Sequence, residues 1–547
     1  MGPRPGGTVV IIGGVAGGAS CAARLRRLRE DLRIILVDRG PHVSFANCGL
    51  PYFVGSVIAD EAKLLVAKPE LFRDRFNIEV RTRTEADGID RTARTIRLTD
   101  LDRGTTEIVA YDALVLSPGA APLRPDLPGV DLPGIFTVRS IPDTRAIRAW
   151  IDTHGTGTAV VVGGGFIGLE MAENLRHRGL DVHLLERNRQ VMGPLDPEMA
   201  SLVADRLRAN GVTLHFARTL TGFRQDGTRL AVLHDAGTLT ADLVILALGV
   251  KPETRLAVQA GLALGSRGGI AVDAQQRTSD PAIWAVDDAT ETRDVVLGQE
   301  VVLPLADPAN RQGRIAADAI AGRSTTFRGV QATAICGMFG LQAACTGASE
   351  KALARAGITD VAAVHLHPGI HASYYPGAKA IHLKVVFRPS DGRLLGAQAV
   401  GEDGVDKRID AIAMVIQLGG TVDDLAEAEL CYAPQFGAAK DPVNLAGMIA
   451  QNVRNGDLPQ ASWDDVGPAV LDVREPAEVA TTPMPGAVHI PLGELRRRHG
   501  ELPPGHTWRV VCAAGQRAGF AVRFLNQHGH RAELLPGGMA TRAMRRG

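Results

Sequence analysis

Neither sign of charge is in excess: Lys plus Arg and Asp plus Glu each total 60 in 547 residues. No global field therefore draws the chain to nucleic acid or to an anionic membrane, and an anionic ligand must be held by local groups. Uninterrupted apolar runs of about 18 residues are absent, which argues against a transmembrane span. Met1 to Gly7 is rich in Gly and Pro and leads straight into a strand, without the basic and apolar regions of a secretory leader. Cysteine is sparse. The six, at positions 21, 48, 336, 345, 431 and 512, form neither a CxxC pair nor a disulfide framework, so a reducing, cytoplasmic setting is expected. His367 and His371 lack the partner spacing of a metal site, and no metal is expected. Tyrosine is scarce too, with five in the whole chain.

Glycine is abundant, at 62 residues, which suits several phosphate-binding loops, and the length calls for three or four domains. Thr8 to Ile12 reads as a strand, Gly13-Gly14-Val15-Ala16-Gly17-Gly18 as a turn, and Ala19 to Arg29 as a helix with a basic outer face. Ile34 to Val37 follows as a strand ending at Asp38-Arg39. In this dinucleotide-binding order the amides of the helix N-terminus hold a pyrophosphate and the acidic cap accepts from a ribose hydroxyl. Candidate cofactor residues are therefore Gly13, Gly14, Ala16, Gly17, Gly18, Asp38 and Arg39, although Val15 stands where GxGxxG has its second glycine.

A second copy has its strand at Ala159 to Val162, the full pattern Gly163-Gly164-Gly165-Phe166-Ile167-Gly168, a helix over Leu169 to Arg178 and a strand capped by Glu186. Gly163, Gly165, Gly168 and Glu186 are its candidates. Two such units imply two dinucleotides on two domains. Glu186 suits a ribose diol and repels a 2′-phosphate, favouring NADH, while Arg187 and Arg189 keep NADPH open. The apolar strands from Ala113 to Leu116 and Leu243 to Leu246, with exits at Gly119 and Gly249, read as crossings between the nucleotide-binding domains. Gly119 joins the cofactor candidates.

Ser44-Phe45-Ala46-Asn47-Cys48-Gly49-Leu50-Pro51-Tyr52 puts one thiol in a small-residue loop, shortly after the first acidic cap. Cys48 is expected over the cofactor, with a thiol pKa lowered by the polar loop and the following helix start. Three of the five tyrosines fall in Ser373-Tyr374-Tyr375-Pro376-Gly377 and Cys431-Tyr432-Ala433-Pro434. Gln451 to Ser462 is polar and reads as a linker. Beyond it, Val470 to Glu475, Pro485 to Leu492 and Val510 to Arg517 give a strand with an acidic turn, a Gly/Pro segment and a cysteine loop. Residues 513 to 517, before a helix from Ala518, are expected to aim successive amides at the Cys512 sulfur. Arg517 adds charge there, or holds a sulfonate or phosphate.

From Thr8 to about Met448 the chain resembles the flavin-dependent pyridine nucleotide-disulfide oxidoreductases, and the remainder resembles a single rhodanese domain. The resemblance implies an α/β chain with two Rossmann-like domains, an α+β dimerisation domain and a small α/β rhodanese domain. FAD would take residues 1–120 and 248–327, NAD(P)H 121–247, dimerisation 328–450, the linker 451–462 and rhodanese 463–547. Asp288 is the candidate acceptor of a flavin ribityl hydroxyl, although Asp287-Asp288 departs from the family's usual Gly-Asp. With no second cysteine near Cys48, oxidation leads to a sulfenic acid or a mixed disulfide with a small thiol. The first branch, NADH oxidases and peroxidases, usually has a His in the first glycine turn, where Val15-Ala16-Gly17 stands here. The second resembles the coenzyme A-disulfide reductases and persulfide reductases. It implies a cytoplasmic homodimer acting on small thiols, disulfides or persulfides. Tyr374, Tyr375 and Tyr432 would reach the partner's active cysteine, and Arg27, Ser44 and Asn47 would contact coenzyme A or the sulfur. A phenol there could protonate a departing thiolate. A redox-sensing or docking protein is the alternative of another class.

Overall fold

The computed structural model describes residues 3–545. They form two compact units, one of residues 3–187 and 215–330, the other of 188–214 and 331–545.

In the first unit a parallel sheet runs in the order Ile283–Ala285, Ala113–Leu116, Thr8–Ile12, Arg33–Val37, Glu79–Arg81. Its central strand is apolar and buried from Val9 to Ile12 because both faces are covered. Val9 and Ile11 pack with Leu25, Ala316 and Ile320, whereas Val10 and Ile12 pack with Ile96, Leu98, Val109 and Leu256. Cys21 lies in the first of these cores, where burial pushes its thiol up to about 12 and leaves it inert. A second parallel sheet contains, in order, Asp181–Glu186, Thr158–Val162, Leu243–Leu246 and Ile135–Phe136.

Three expectations are corrected here. Both nucleotide helices start earlier than expected, at Ala16–Leu28 and Phe166–His177, because the last glycine of each motif is a helical contact point rather than a turn. Ala113–Leu116 and Leu243–Leu246 are sheet interiors, fully buried, not crossings. The crossing is the antiparallel pair Ala120–Pro122 and Val250–Pro252, entered through Gly119 at φ 71° and Gly249 at φ 103°. The third correction concerns the linker. Gln451 lies in the helix Pro442–Arg454, and the later part joins the edge of the sheet that ends at Arg531–Leu534, where Ala461 N donates to Leu534 O and Leu534 N to Pro459 O, both at 2.8 Å. Apolar Leu458 and Ala461 are buried there, so the segment is no free tether.

The second unit has an antiparallel sheet in the order Ala334–Met338, Leu341–Gly347, Leu394–Gly401, Ile381–Phe387, Ala362–Leu366. It also has a parallel sheet of Val488–His489, Val470–Asp472, Thr507–Val511 and Arg531–Leu534. The helix Pro197–Ala209 is tied to the first of these by a buried ammonium: Lys384 Nζ lies 2.8 Å from Asp196, and 2.5 Å from each of Glu198 and Glu350. The three carboxylates gather around this ammonium, which they push upward in pKa by overcoming its burial. Among the described residues no helix is long and apolar enough to cross a membrane.

Removing one partner of a buried ion cluster leaves unpaired charge, so Lys384→Met is expected to destabilise the fold by about 3–5 kcal/mol. Urea unfolding checks this, and an unchanged midpoint would contradict it.

Candidate active site

The two glycine motifs are built alike. A Cβ on Gly18 would lie 1.8 Å from Gly13 O, and one on Gly168 would lie 1.9 Å from Gly163 O. Gly13 and Gly163 take φ 94° and 111°, where a side chain would be strained and would strike the carbonyls of Ser117 and Ala247. Asp38 accepts from Gly14 N at 2.8 Å and Glu186 from Gly164 N at 2.7 Å, so each acidic cap sits against its own glycine turn. A Cβ on Gly165 would meet open space, which leaves the second turn free for close approach by a ligand. Ala16 opens its helix and Gly17 is packed close to Val286 and Ser117. Arg39 is exposed, 3.9 Å from Glu85. Burial raises the Asp38 carboxyl, with Gly14, Gly40, Arg139 and Arg39 opposing.

Asp287 occupies the position at which the family resemblance expects glycine, and its φ of 69° explains that preference. Its side chain is turned inward, accepting from Ser117 Oγ and, at 3.1 Å, from Gly119 N and Ala289 N. Burial pushes this carboxyl up to about 7. Gly119 therefore spends its amide on Asp287. Asp288, the expected acceptor, is half-buried and raised by burial, with Arg139 opposing. Arg139 was not singled out from sequence, yet it is within electrostatic reach of Asp38, Asp287 and Asp288.

The Cys48 loop is pinned to the first glycine turn: Ser44, at φ 46°, donates its N–H to Gly14 O at 2.7 Å. Ala46 N donates to Leu64 O at 2.8 Å and Val66 N to Ser44 O at 2.9 Å. Cys48 itself is exposed, in a short turn Asn47–Gly49 that feeds the helix Leu50–Val54. Asn47 Oδ1 is buried without a hydrogen-bond partner. The expected lowering of the thiol pKa is not what these side chains produce. Loss of hydration, then Glu170, then Asp288 push Cys48 upward, and only its own backbone opposes them. The helix is five residues long, and two carboxylates outweigh it.

Glu170 is a further residue that sequence reasoning missed. It follows the second glycine motif by two positions, on the helix Phe166–His177, and accepts from Tyr52 Oη at 3.2 Å. Burial pushes it up to about 7, with Tyr52 opposing and Glu173 adding to the rise. A carboxyl that titrates near neutrality within electrostatic reach of a thiol is suited to proton exchange. The signal was an acidic residue inside an otherwise apolar helix start. Of the helix arginines, Arg26 is buried on the carbonyls of Phe76, Asn77 and Glu30, Arg24 pairs with Asp318, and Arg27 is exposed.

In the second unit the structure brings Tyr374 and Tyr432 together, Oη to Oη at 2.9 Å, which raises the Tyr374 phenol. Tyr375 is exposed and meets His371 edge-on. His367 is bonded at both ring nitrogens: Nδ1 faces His382 Nδ1 at 2.8 Å and Nε2 faces Thr541 Oγ1 at 2.9 Å. Burial pushes it down to about 3, so it joins the sheet to the last helix as a neutral ring. Cys512 is buried, and among the described residues one amide reaches its sulfur, Gly515 N at 3.1 Å, rather than the expected succession. Arg517 does not present a free fork to an anion either. Both its terminal nitrogens lie 2.6 Å from the Glu478 carboxylate.

Residues 7–313 match the pyridine nucleotide-disulphide oxidoreductase family, 333–441 that family's dimerisation domain, and 457–541 the rhodanese-like domain. The chain belongs to the pyridine nucleotide-disulphide oxidoreductase family and carries a rhodanese-like domain at its C-terminal side. It is similar to the coenzyme A disulfide reductase of Staphylococcus haemolyticus, at 33% identity over 446 residues, 81% of this chain and 99% of that one. Among solved structures it is similar to reduced CoADR-RHD of Bacillus anthracis, with a TM-score of 0.97 and 42% identity over 99% of this chain and 98% of that one. It is also similar to a NAD-dependent persulfide reductase from A. fulgidus, with a TM-score of 0.92 and 36% identity, covering 98% and 99%. The expected fold class, two nucleotide-binding domains followed by dimerisation and rhodanese domains, is the one found.

Glu170→Gln removes the carboxylate that opposes thiolate formation at Cys48. Alkylation of Cys48 by iodoacetamide at pH 8, followed on its peptide by mass spectrometry, is expected to quicken by about threefold or more. An equal or slower rate would show that Glu170 does not set this thiol.

Proposed function

We propose that this chain is an FAD-dependent NAD(P)H oxidoreductase that reduces coenzyme A disulfide, and coenzyme A persulfide or polysulfide, through Cys48. Residues 1–120 and 248–327 would hold FAD, and 121–247 would hold NADH in preference to NADPH, since Glu186 caps the second unit. The observation that carries the reading is the exposed Cys48 thiol, held by a loop hydrogen-bonded to the first glycine turn and free of any disulfide. Asp38, Glu186 and the open space at Gly165 suit two dinucleotides. When bound, the flavin supplies the two-electron chemistry between nicotinamide and sulfur.

The work of the chain's own residues is thiol exchange. Cys48 Sγ, as thiolate, attacks one sulfur of the disulfide; a Cys48–coenzyme A disulfide forms, the substrate S–S bond breaks, and coenzyme A thiolate leaves and takes up a proton. With a persulfide, attack on the outer sulfur leaves a persulfide on Cys48 and releases coenzyme A. Overall, coenzyme A disulfide, NADH and a proton give two coenzyme A thiols and NAD+. Glu170, half-ionised near neutrality, can share a proton with Tyr52 beside the exchanging sulfur. Ser44, Asn47 and Arg27 would contact coenzyme A, and the unpartnered Asn47 Oδ1 supports that role.

Dimerisation would place residues 328–450 at a two-fold interface. Exposed Phe436, Met414 and Leu418, together with Tyr374 and Tyr432, support an apolar contact there. In such a dimer the two phenols would serve the partner subunit's Cys48, protonating the departing thiolate. Cys512 would carry sulfane sulfur on its Gly515-bonded sulfur.

Steady-state turnover with NADH and NADPH against coenzyme A disulfide, persulfide and polysulfide tests the assignment. Cys48→Ser is expected to lower reduction of each acceptor by at least about a hundredfold. Undiminished reduction would remove the assignment, and oxygen consumption that outruns the thiol acceptors would indicate sulfenic acid chemistry instead. Cys512→Ala is expected to abolish sulfur transfer while disulfide reduction continues; equal loss of both would mean that the two domains do not divide the labour.

A further inference from the structure

The cationic side chain of the segment 512–517 is Arg517, and its guanidinium edge is taken. Arg517 opens the helix Gln516–Gln527 and is close enough to Cys512 for the thiol to influence its charge. A guanidinium binds a sulfonate through a two-pronged edge. Here that edge is filled by Glu478, with both nitrogens at 2.6 Å. Glu478 is anchored from behind, accepting from Glu475 N at 2.9 Å, and Arg517 holds its carboxyl down to about 2. Glu475 adds a second negative charge near Arg517. Arg474, within electrostatic reach of Glu478, is bonded to buried Asp472.

We propose that Glu478 sets the class of sulfur donor at Cys512, by neutralising Arg517 and so favouring persulfides of organic thiols over thiosulfate. This rests on the sulfur-transfer reading of Cys512. The two donors differ in what departs. With a persulfide R–S–SH, the Cys512 thiolate bonds to the outer sulfur and the donor S–S bond breaks. The electron pair leaves on R–S⁻, and the proton stays on the transferred sulfur. With thiosulfate the same bond change expels sulfite, whose two negative charges lie against the loop and need a free cation. In coenzyme A persulfide the phosphates lie at the far end of a long arm, away from the reacting sulfurs.

The full-length protein, Glu478→Gln and the double variant Glu478→Gln/Arg517→Gln are assayed for sulfur transfer from thiosulfate and from glutathione persulfide, with Cys512→Ala as the blank. Gln keeps an acceptor for Glu475 N, and NADH-dependent disulfide reduction reports on folding. The parent is expected to prefer the persulfide. Glu478→Gln is expected to raise kcat/KM for thiosulfate by about tenfold or more, chiefly through KM, with the persulfide value within about threefold. The double variant should lose the gain. A parent that prefers thiosulfate overturns the proposal, as does a Glu478→Gln protein that changes both donors equally or neither. Transfer that persists in Cys512→Ala would instead remove the sulfur-transfer reading itself, and the proposal with it.

Discussion

In each nucleotide-binding unit the last glycine of the turn sits so close to the first that no side chain fits between them. Gly18 and Gly168 would each drive a Cβ to within 2 Å of a carbonyl oxygen. This contact lets the helix start directly against the strand end and turns the intervening amides outward. The acidic caps depend on it, because Asp38 and Glu186 accept from the second residue of each turn. The Cys48 loop depends on it as well, since Ser44 is bonded to Gly14 O. One steric constraint thus sets where a dinucleotide can lie and where the Cys48 thiol is held.

The two cysteines assigned to sulfur chemistry sit in opposite settings. Cys48 is exposed among carboxyl groups and its thiol is pushed up, whereas Cys512 is buried and receives an amide hydrogen bond. Two carboxyls of the first unit carry a cost for the fold. Glu170 and Asp287 have pKa values of about 7, above those of unfolded carboxyls, so the folded state binds their protons more tightly. Their contribution to stability is full below about pH 4 and is lost as pH rises through 7. Glu198 acts in the opposite sense within the second unit. Glu198 is held low by His365 and Lys384 against its burial, and the stability it contributes is lost as pH falls below the usual carboxylate range.

Features set by neighbours in sequence were legible without coordinates. The doubled strand, turn and helix pattern, its acidic caps, the lone cysteine loop and the three ordered rhodanese segments all lie within short stretches. Features made by distant partners were not. Glu170 meets Tyr52 from 118 residues away, and Glu478 meets Arg517 from 39 residues away. The direction of the Cys48 pKa shift was misread for the same reason, since the loss of hydration and then Glu170 and Asp288 all come from chain packed around it. The segment from Gln451 to Ser462 was misread because its polar residues and its Asn-Gly and Leu-Pro pairs hid two apolar side chains, Leu458 and Ala461, that complete a core. The candidate site residues, apart from Glu170, Arg139 and Glu478, were named from their motifs or from the family resemblance.

The central claim is that Cys48 exchanges directly with coenzyme A. Peptide mass spectrometry on protein mixed with coenzyme A disulfide, quenched in acid and then compared with a sample given excess NADH, tests it most directly. A coenzyme A adduct confined to the Cys48 peptide and removed by NADH is the expected result. An adduct on Cys431 or Cys512 instead, or a Cys48 that carries only oxygen, would contradict it.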